Sequence, residues 1–257
     1  MTPLADILAT ATPIDGGFRT AIPADWLQGR TAYGGLSSAL ALHAAMQVEP
    51  DLPPLRSAQV AFIGPLSGDI AVTAIKLRRG RNAAFIQSDI VSDAGLGYRA
   101  TFIFMAPLAS RIDHDEAPRA PIAPPPDGAD LYTGPDNFFT GNFNFFDPKA
   151  ARGKAEWLRW VRLRARDGLH PMTEVMAIGD GLPPAAFKLI EGQQAPVSSL
   201  NWQINLLSPE PRTDDGWWLL HAISDQARDG GASQRMAIWN AAGEPIAEAM
   251  QAVAIFA

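Results

Sequence analysis

Cysteine is absent from the 257 residues, so the chain forms no disulfide and offers no thiolate as a nucleophile or metal ligand. Acidic residues outnumber basic ones by 27 to 21, and the net charge of -6 argues against nucleic acid as the main partner, because phosphate binding needs a basic surface. The sequence has no apolar run long enough to cross a bilayer and does not open on a charged-then-apolar leader. We therefore expect no membrane partner and a cytoplasmic location.

What the chain does have is apolar content, at 47% of its residues, which is enough for a sizeable core. The stretch from Gly34 to Ala45, GGLSSALALHAA, is apolar on nearly every face, which is typical of a buried helix. It opens on a Gly-Gly pair, where backbone N–H groups can come close to a ligand. Four strand-like runs follow, so the sequence predicts a sheet wrapped around a buried helix.

The second half of the chain repeats the first at an offset of about 150 residues. The sequence FIGP at 62–65 corresponds to LLSP at 206–209, and IF at 103–104 corresponds to IF at 255–256. A proline-rich stretch and the aromatic run FFTGNFNFF separate the two halves. These features predict a first repeat over 1–106, a linker over 107–153 and a second repeat over 154–257.

Segments along most of the chain resemble the acyl-CoA thioesterase II group of double-hotdog proteins. The matching segments are TAYGGLSSALALHAA, VAFIGPLSGD, LRRGRNAAFIQSDIV, DAGLGYRATFIF, VSSLNWQINLLSP and IWNAAGEPIAEAMQAVAIF. The resemblance implies an α+β double hotdog, with two repeats of an antiparallel β-sheet wrapped around a central helix. The two sheets would join edge to edge, and we expect the chains to associate further as a homo-oligomer.

The same resemblance implies that the partner is an acyl-CoA substrate, which is hydrolysed to free acid and CoA without a covalent nucleophile. In that family an Asp, a Thr or Ser, and a Gln hold one water for attack. The corresponding residues here are Asp180 as general base, Ser199, where the family commonly has threonine, and Gln251. We expect the second-repeat helix to open at Pro183-Pro184 and to run through Ile190, since proline suits the first helical turn. Asp180 would lie at its start, where the helix dipole would stabilise the ionised form. No cofactor and no metal ion is expected.

One such site per chain is predicted, because the first repeat lacks the trio. Sliding one half over the other places Asp180 on about Gly34, Ser199 near Leu55 and Gln251 near Arg99. The N–H groups of Gly34 and Gly35 could hold the thioester carbonyl, or these glycines could simply let the helix pack closely. Arg81, in a cluster with Arg78 and Arg79, could bind the phosphates of CoA or belong to a solvated turn.

Two other functions stay open at this point. An enoyl-CoA hydratase of hotdog type would use a His and a carboxylate on the helix, but His43 has no close carboxylate, since Glu49 and Asp51 follow the helix. A non-catalytic acyl-thioester binding protein is the other alternative, and the serine at position 199 is a small departure in that direction. His114 lies in the acidic sequence DHDE, which is typical of a solvated loop rather than a metal site.

Overall fold

The computed structural model describes residues 1–149, 153–190 and 195–256. The helices are α1 (Leu4–Ala9), α2 (Gly34–Met46) and α3 (Pro171–Gly179). The strands of the first half are β1 (Thr12–Ile14), β2 (Gly17–Ile22), β3 (Leu27–Gln28), β4 (Thr31–Ala32), β5 (Leu55–Phe62), β6 (Gly68–Arg79), β7 (Ala83–Ser92) and β8 (Gly95–Met105). Those that follow are β9 (Phe143–Phe146), β10 (Glu156–Leu163), β11 (Val197–Leu206), β12 (Trp218–Arg228), β13 (Gly231–Asn240) and β14 (Pro245–Ile255).

Twelve of these strands form one antiparallel sheet, in the order β1-β2-β6-β7-β8-β5-β11-β14-β13-β12-β10-β9. The order reads the same outwards from the centre, because β5-β8-β7-β6-β2 on one side corresponds to β11-β14-β13-β12-β10 on the other. The repeats join where β5 pairs with β11, and Gln59 faces Gln203 there. The predicted α+β double hotdog, with its two sheets joined edge to edge, is confirmed.

The long helices α2 and α3 lie side by side against the sheet, and α2 is buried along most of its length, as its composition predicts. They run in opposite directions, since the hydroxyl of Tyr33, just before α2, donates to the carbonyl of Ala177 near the end of α3 at 2.8 Å. Gly35 allows this close approach, because a Cβ there would overlap the same carbonyl oxygen. The start of one helix therefore meets the end of the other.

The second-repeat helix begins earlier than the sequence analysis predicts. Pro171 opens α3, and the His170 side chain before it accepts a hydrogen bond from the Met172 amide. The apolar run from 172 to 178 is too short for its periodicity to distinguish a helix from a strand. The helix predicted after Pro184 is instead a short 3-10 turn, Ala185–Ile190. Asp180 therefore follows the end of α3, and its predicted position at the start of that helix is wrong.

The segment between the repeats packs onto both of them. Its proline-rich part is held by Trp239, whose indole N–H donates to the carbonyl of Pro118 at 2.6 Å. Its aromatic part supplies β9, which pairs with β10, and Phe139, whose ring stacks on Tyr33 at a centroid distance of 4.2 Å. The repeat bounds at 106 and 153 stay a prediction. In the described part of the chain, no helix has both the length and the apolar character that crossing a bilayer requires.

Candidate active site

A cavity of about 680 Å³ opens where the start of α2 meets the end of α3. Its wall is shared between the repeats. The first repeat contributes Gly34, Phe62 and Tyr98, together with the turn that joins β3 to β4. The second repeat contributes Asp180, Ser199 and Gln251. The fold thus brings all three residues of the predicted trio to one cavity.

Asp180 and Gln251 are in direct contact. Gln251 lies on β14 with its side chain 3% exposed, and its Nε2 donates to Oδ1 of Asp180 at 2.9 Å. Asp180 directly follows the last residue of α3, and Gly179 and Gly181 flank it in the chain. The other carboxylate oxygen, Oδ2, lies beside Gly34, which lines the same cavity.

Ser199 lies near this pair without bonding to it. On β11 it faces Val253 of β14, two residues beyond Gln251, so Ser199 and Gln251 are diagonal neighbours on one face of the sheet. Such neighbours have Cα atoms about 7–8 Å apart, which leaves room for one water between their side chains. Both hydrogen bonds of the Gln251 side chain go elsewhere, to Asp180 and to Gln234.

Gly34 closes the cavity opposite Asp180. A Cβ at this position would overlap Oδ2 of Asp180 and would lie 2.8 Å from Cε1 of Phe62. Gly34 is the first residue of α2, whose opening N–H groups have no acceptor within the helix. The dipole of α2 favours the ionised form of Asp180, whereas the C-terminal end of α3 disfavours it. The helix start beside Asp180 thus belongs to the other repeat.

Burial is the main influence on the carboxyl. It raises the pKa of Asp180 to about 7, and the hydrogen bond from Gln251 opposes part of that rise. Burial also raises the pKa values of Tyr33 and Tyr98, to which the charge of Asp180 adds. Both phenols therefore stay protonated, and the Tyr98 hydroxyl donates to Oγ of Ser38 at 3.0 Å.

Of the three residues predicted to bind substrate, Gly34, Gly35 and Arg81, the structure places only the first in the cavity wall. Gly34 lines the cavity, whereas Gly35 packs against α3. Arg81 follows the far end of β6, and roughly 40 Å of strand separate it from the near end, which begins two residues after the cavity-lining Leu66. A contact between Arg81 and a substrate in this cavity does not fit that placement. The cavity wall contains Arg30 instead, exposed in the Gly29–Arg30 turn between β3 and β4. In the sequence, the signal for Arg30 is the Gly29-Arg30 turn directly before the segment TAYGG.

Two of the three counterparts expected for the trio in the first repeat differ from those in the structure. Gln251 faces Trp202 of β11, and the equivalent pair in the first repeat is Phe102 facing Ala58 of β5. Asp180 follows α3 as Gln47 follows α2. The expected counterpart Arg99 is therefore wrong by three residues and Gly34 by thirteen, whereas Leu55 does correspond to Ser199, since each precedes a bulge of its strand. The first repeat still lacks both side chains, since Gln47 stands in place of Asp180 and Phe102 stands in place of Gln251.

His43 lies far from this cavity, near the other end of α2. Its Nε2 is 2.9 Å from the Gln47 side-chain nitrogen, and burial lowers its pKa. Its ring also meets Phe18 edge-on, with centroids 5.8 Å apart. Within residues 1–149, 153–190 and 195–256, no group of three or more His, Asp or Glu side chains is arranged to hold a metal ion.

The two joined hotdog repeats, with a hydrogen-bonded carboxylate and amide in the cavity between them, define the class of this protein as a double-hotdog protein. Solved structures match over almost the full length. A hotdog protein of unknown function from Alicyclobacillus acidocaldarius is 19% identical, with coverage of 100% and 99% of the two chains and a TM-score of 0.85. Acyl-CoA thioesterase II TesB2 from Mycobacterium marinum is 18% identical, with coverage of 98% and 97% and a TM-score of 0.75. The dehydratase domain of RzxB from Pseudomonas fluorescens is 13% identical, with coverage of 98% and 99% and a TM-score of 0.54.

The family models assign the chain more closely. The acyl-CoA thioesterase N-terminal domain matches residues 22–105, and the acyl-CoA thioesterase C-terminal domain matches residues 114–255, which is more than half of the chain. The chain belongs to the acyl-CoA thioesterase family. A search of curated proteins gave no match.

Proposed function

We propose that this protein hydrolyses an acyl-CoA thioester to a free acid and CoA, with Asp180 as general base. The observation that carries the proposal is the 2.9 Å hydrogen bond from Gln251 to Asp180 in a cavity that Ser199 also lines. Hydrolysis needs a water, a base within hydrogen-bond reach of it, and donors for the oxyanion. In this proposal Ser199 and Gln251 hold the water, and Asp180 removes its proton.

The charge state of Asp180 suits this role. A general base works best when its pKa lies near the working pH, and burial raises the pKa of Asp180 to about 7. Above that pH the ionised carboxylate takes a proton as the water oxygen bonds to the thioester carbon. The C–S bond then breaks, and the CoA thiolate takes up a proton. The acid limb of the pH profile should therefore lie near pH 7.

Gly34 and Arg30 have separate roles in the proposal. The N–H at the start of α2 is a donor for the thioester oxygen, since Gly34 lines the cavity and lacks an intrahelical acceptor. Arg30, exposed in the cavity wall, suits the phosphates of CoA as a bidentate partner. This replaces Arg81 as the cation expected to contact substrate.

The hydratase alternative is less well supported. A helix His paired with a carboxylate would be needed, and the hydrogen-bond partner of His43 is Gln47. The likeness to a dehydratase domain, at a TM-score of 0.54, concerns the fold alone. A binding protein without catalysis would retain the cavity but would not need a base beside its water position.

The test is release of free thiol from acyl-CoAs of several chain lengths. We expect the wild-type protein to release thiol, and Asp180→Asn to lower kcat by about 10²–10⁴-fold, because the general base is lost. Gln47→Asn, in the corresponding position of the first repeat, should leave turnover unchanged. Binding without thiol release would support the binding-protein alternative, and full turnover by Asp180→Asn would end the proposed mechanism.

A further inference from the structure

Gln234 is a buried amide that the proposed reaction does not use. It lies on β13 directly opposite Gln251 of β14 and is 2% exposed. Its Nε2 donates to Oε1 of Gln251 at 2.6 Å, and its own Oε1 accepts from the backbone N–H of Ala185 at 2.8 Å. A chain of three hydrogen bonds therefore runs from the Ala185 amide through both glutamines to the Asp180 carboxylate.

The direction of this chain is fixed at its start. A backbone N–H only donates, so the Ala185 amide requires the oxygen of Gln234 to face it. The nitrogen of Gln234 then faces Gln251, which must present its own oxygen there. The nitrogen of Gln251 is left to face Asp180. Without Gln234, an amide flip at position 251 would exchange its donor and its acceptor.

The first repeat shows that the sheet does not need this pair for packing. There the residues that correspond to Gln234 and Gln251 are Ile86 and Phe102, which face each other across β7 and β8. Both are fully buried. Burying an amide is unfavourable unless each polar atom finds a partner, whereas an aliphatic and an aromatic side chain need none. The polar pair on one side of the molecule is thus explained by the neighbouring carboxylate rather than by the fold.

We propose that Gln234 is a positioning residue that holds the Gln251 amide with its N–H towards Asp180. The catalytic meaning of this orientation rests on the proposed hydrolysis, but the orientation itself can be measured without any substrate. In the wild-type protein the second N–H of Gln251 is then available to the water, and Asp180 is kept ready to ionise. Gln234 itself contacts neither the water nor the substrate.

Glutamate at position 234 reverses the direction of the chain. One carboxylate oxygen still accepts from Ala185, and the other now requires a donor from Gln251, which turns the Gln251 oxygen towards Asp180. Two facing oxygens need a proton between them, so the pKa of Asp180 should rise by about one unit or more. The other titratable groups that face Asp180 are Tyr33 and Tyr98, and Arg30 lies in the same cavity wall. The two tyrosines stay neutral, because their pKa values are raised.

The experiment compares Gln234→Glu and Gln234→Met with the wild-type protein. Carboxyl ¹³C NMR reads the Asp180 titration, assigned by the loss of its signal in Asp180→Asn. Both variants should raise the pKa of Asp180, with Glu producing the larger shift. In turnover, kcat should fall by about 10- to 100-fold at pH 7 with KM nearly unchanged, a loss typical of removing an outer residue that orients a ligand. The loss should shrink towards pH 9, whereas a general packing defect would lower activity equally at every pH.

Gln203→Glu is the matched control, because Gln203 lies exposed on β11 and the same substitution there adds the same charge away from Asp180. It should leave the titration of Asp180 unchanged. An unchanged Asp180 titration in both Gln234 variants would overturn the inference even if the wild-type protein hydrolyses acyl-CoA. A shifted titration in a protein that releases no thiol would refute the proposed function and leave the positioning role intact. In the wild-type protein, the NMR signals of both glutamine side-chain amides should shift as Asp180 titrates. Signals that do not shift would contradict the proposed chain of hydrogen bonds.

Discussion

The two repeats have the same strand order and the same helix on the sheet, yet they differ in what they bury at equivalent places. In the first repeat, Ile86 and Phe102 pack as ordinary core residues. In the second, Gln234 and Gln251 occupy those places and connect to a half-buried acid. One copy of the fold shows what the sheet needs for stability, and the other shows what has been added for chemistry.

The difference extends to the helices, but there the two repeats cooperate. The acid follows α3 of the second repeat, while the helix start that faces it is Gly34 of the first repeat. A single repeat would provide the carboxylate without the opening N–H groups of the neighbouring helix. Joining the repeats in one chain allows each helix end to take a different role, which an association of identical copies does not permit.

Substitutions at the equivalent residues Gln251 and Phe102 should give the largest difference between an effect on catalysis and an effect on packing. Gln251→Met keeps the side-chain length and removes the donor to Asp180, so kcat should fall by about 100-fold, as when one preorganised donor is lost. Phe102→Leu should retain turnover within about twofold but lower the free energy of unfolding by about 1–2 kcal/mol, because it leaves a cavity in the core. Thiol-release kinetics and urea unfolding on the same samples measure both. Similar kinetic losses in the two variants would contradict the division of roles between the repeats.

A methyl group at the start of α2 tests the contact between the repeats. Gly34→Ala should push Asp180 away from its hydrogen bond and lower kcat by about 10- to 100-fold, since a Cβ there overlaps Oδ2. Gly64→Ala is the matched control in the same cavity wall, because its Cβ would lie 3.5 Å from the Leu96 carbonyl oxygen, an ordinary contact. Its kcat should stay within about twofold of wild type. Equal effects of the two methyl groups would show that crowding of the cavity, rather than the position of Asp180, is responsible.

The burial of the acid should also be visible in stability. Because the pKa of Asp180 is raised to about 7 from an ordinary 3.8, the folded state holds its proton more tightly than the unfolded state does. The contribution of Asp180 to the free energy of unfolding should therefore fall as pH rises from 4 to 7 and should change no further above that range. Asp180→Asn removes this dependence, so its stability relative to wild type should rise by roughly 1–3 kcal/mol across the range. Denaturant unfolding at pH 4, 5.5, 7 and 8 measures it, with Gln47→Asn expected to follow the wild-type curve.

Much of this arrangement could be predicted from the sequence, because it follows from local patterns. The apolar run from Gly34 marks α2, and the repeated turns mark the duplicated sheet. The position of Asp180 could not be predicted so well, since the short apolar run before it does not reveal where α3 begins. The equivalence of Gln251 and Phe102 was missed because the alignment matched the IF pairs at 103–104 and 255–256. Strand pairing instead makes Phe104 the counterpart of Val253, since each faces the residue before a bulge, Leu55 or Ser199.

The role of Gln234 was invisible for a different reason. A lone glutamine in the strand GASQRMAIWN looks like any solvated residue, and only its cross-strand pairing with Gln251 makes it part of the site. Arg30 and Arg81 show the same limit for charge. A cluster of three arginines attracts attention in the sequence, whereas the single arginine in the cavity wall is defined by where the β3–β4 turn lies.

The two arginines give the last and smallest test. Arg30→Ala should raise KM for acyl-CoA by about three- to tenfold with kcat nearly unchanged, because an exposed cation contributes little to binding at physiological salt. The difference from wild type should shrink as ionic strength rises, since screening weakens the contact with phosphate in the wild-type protein. Arg81→Ala removes the same charge from the far end of β6 and should leave KM unchanged at every salt concentration. If the two substitutions raise KM equally, the arginines act through the overall charge of the protein, and Arg30 makes no specific contact with the phosphates.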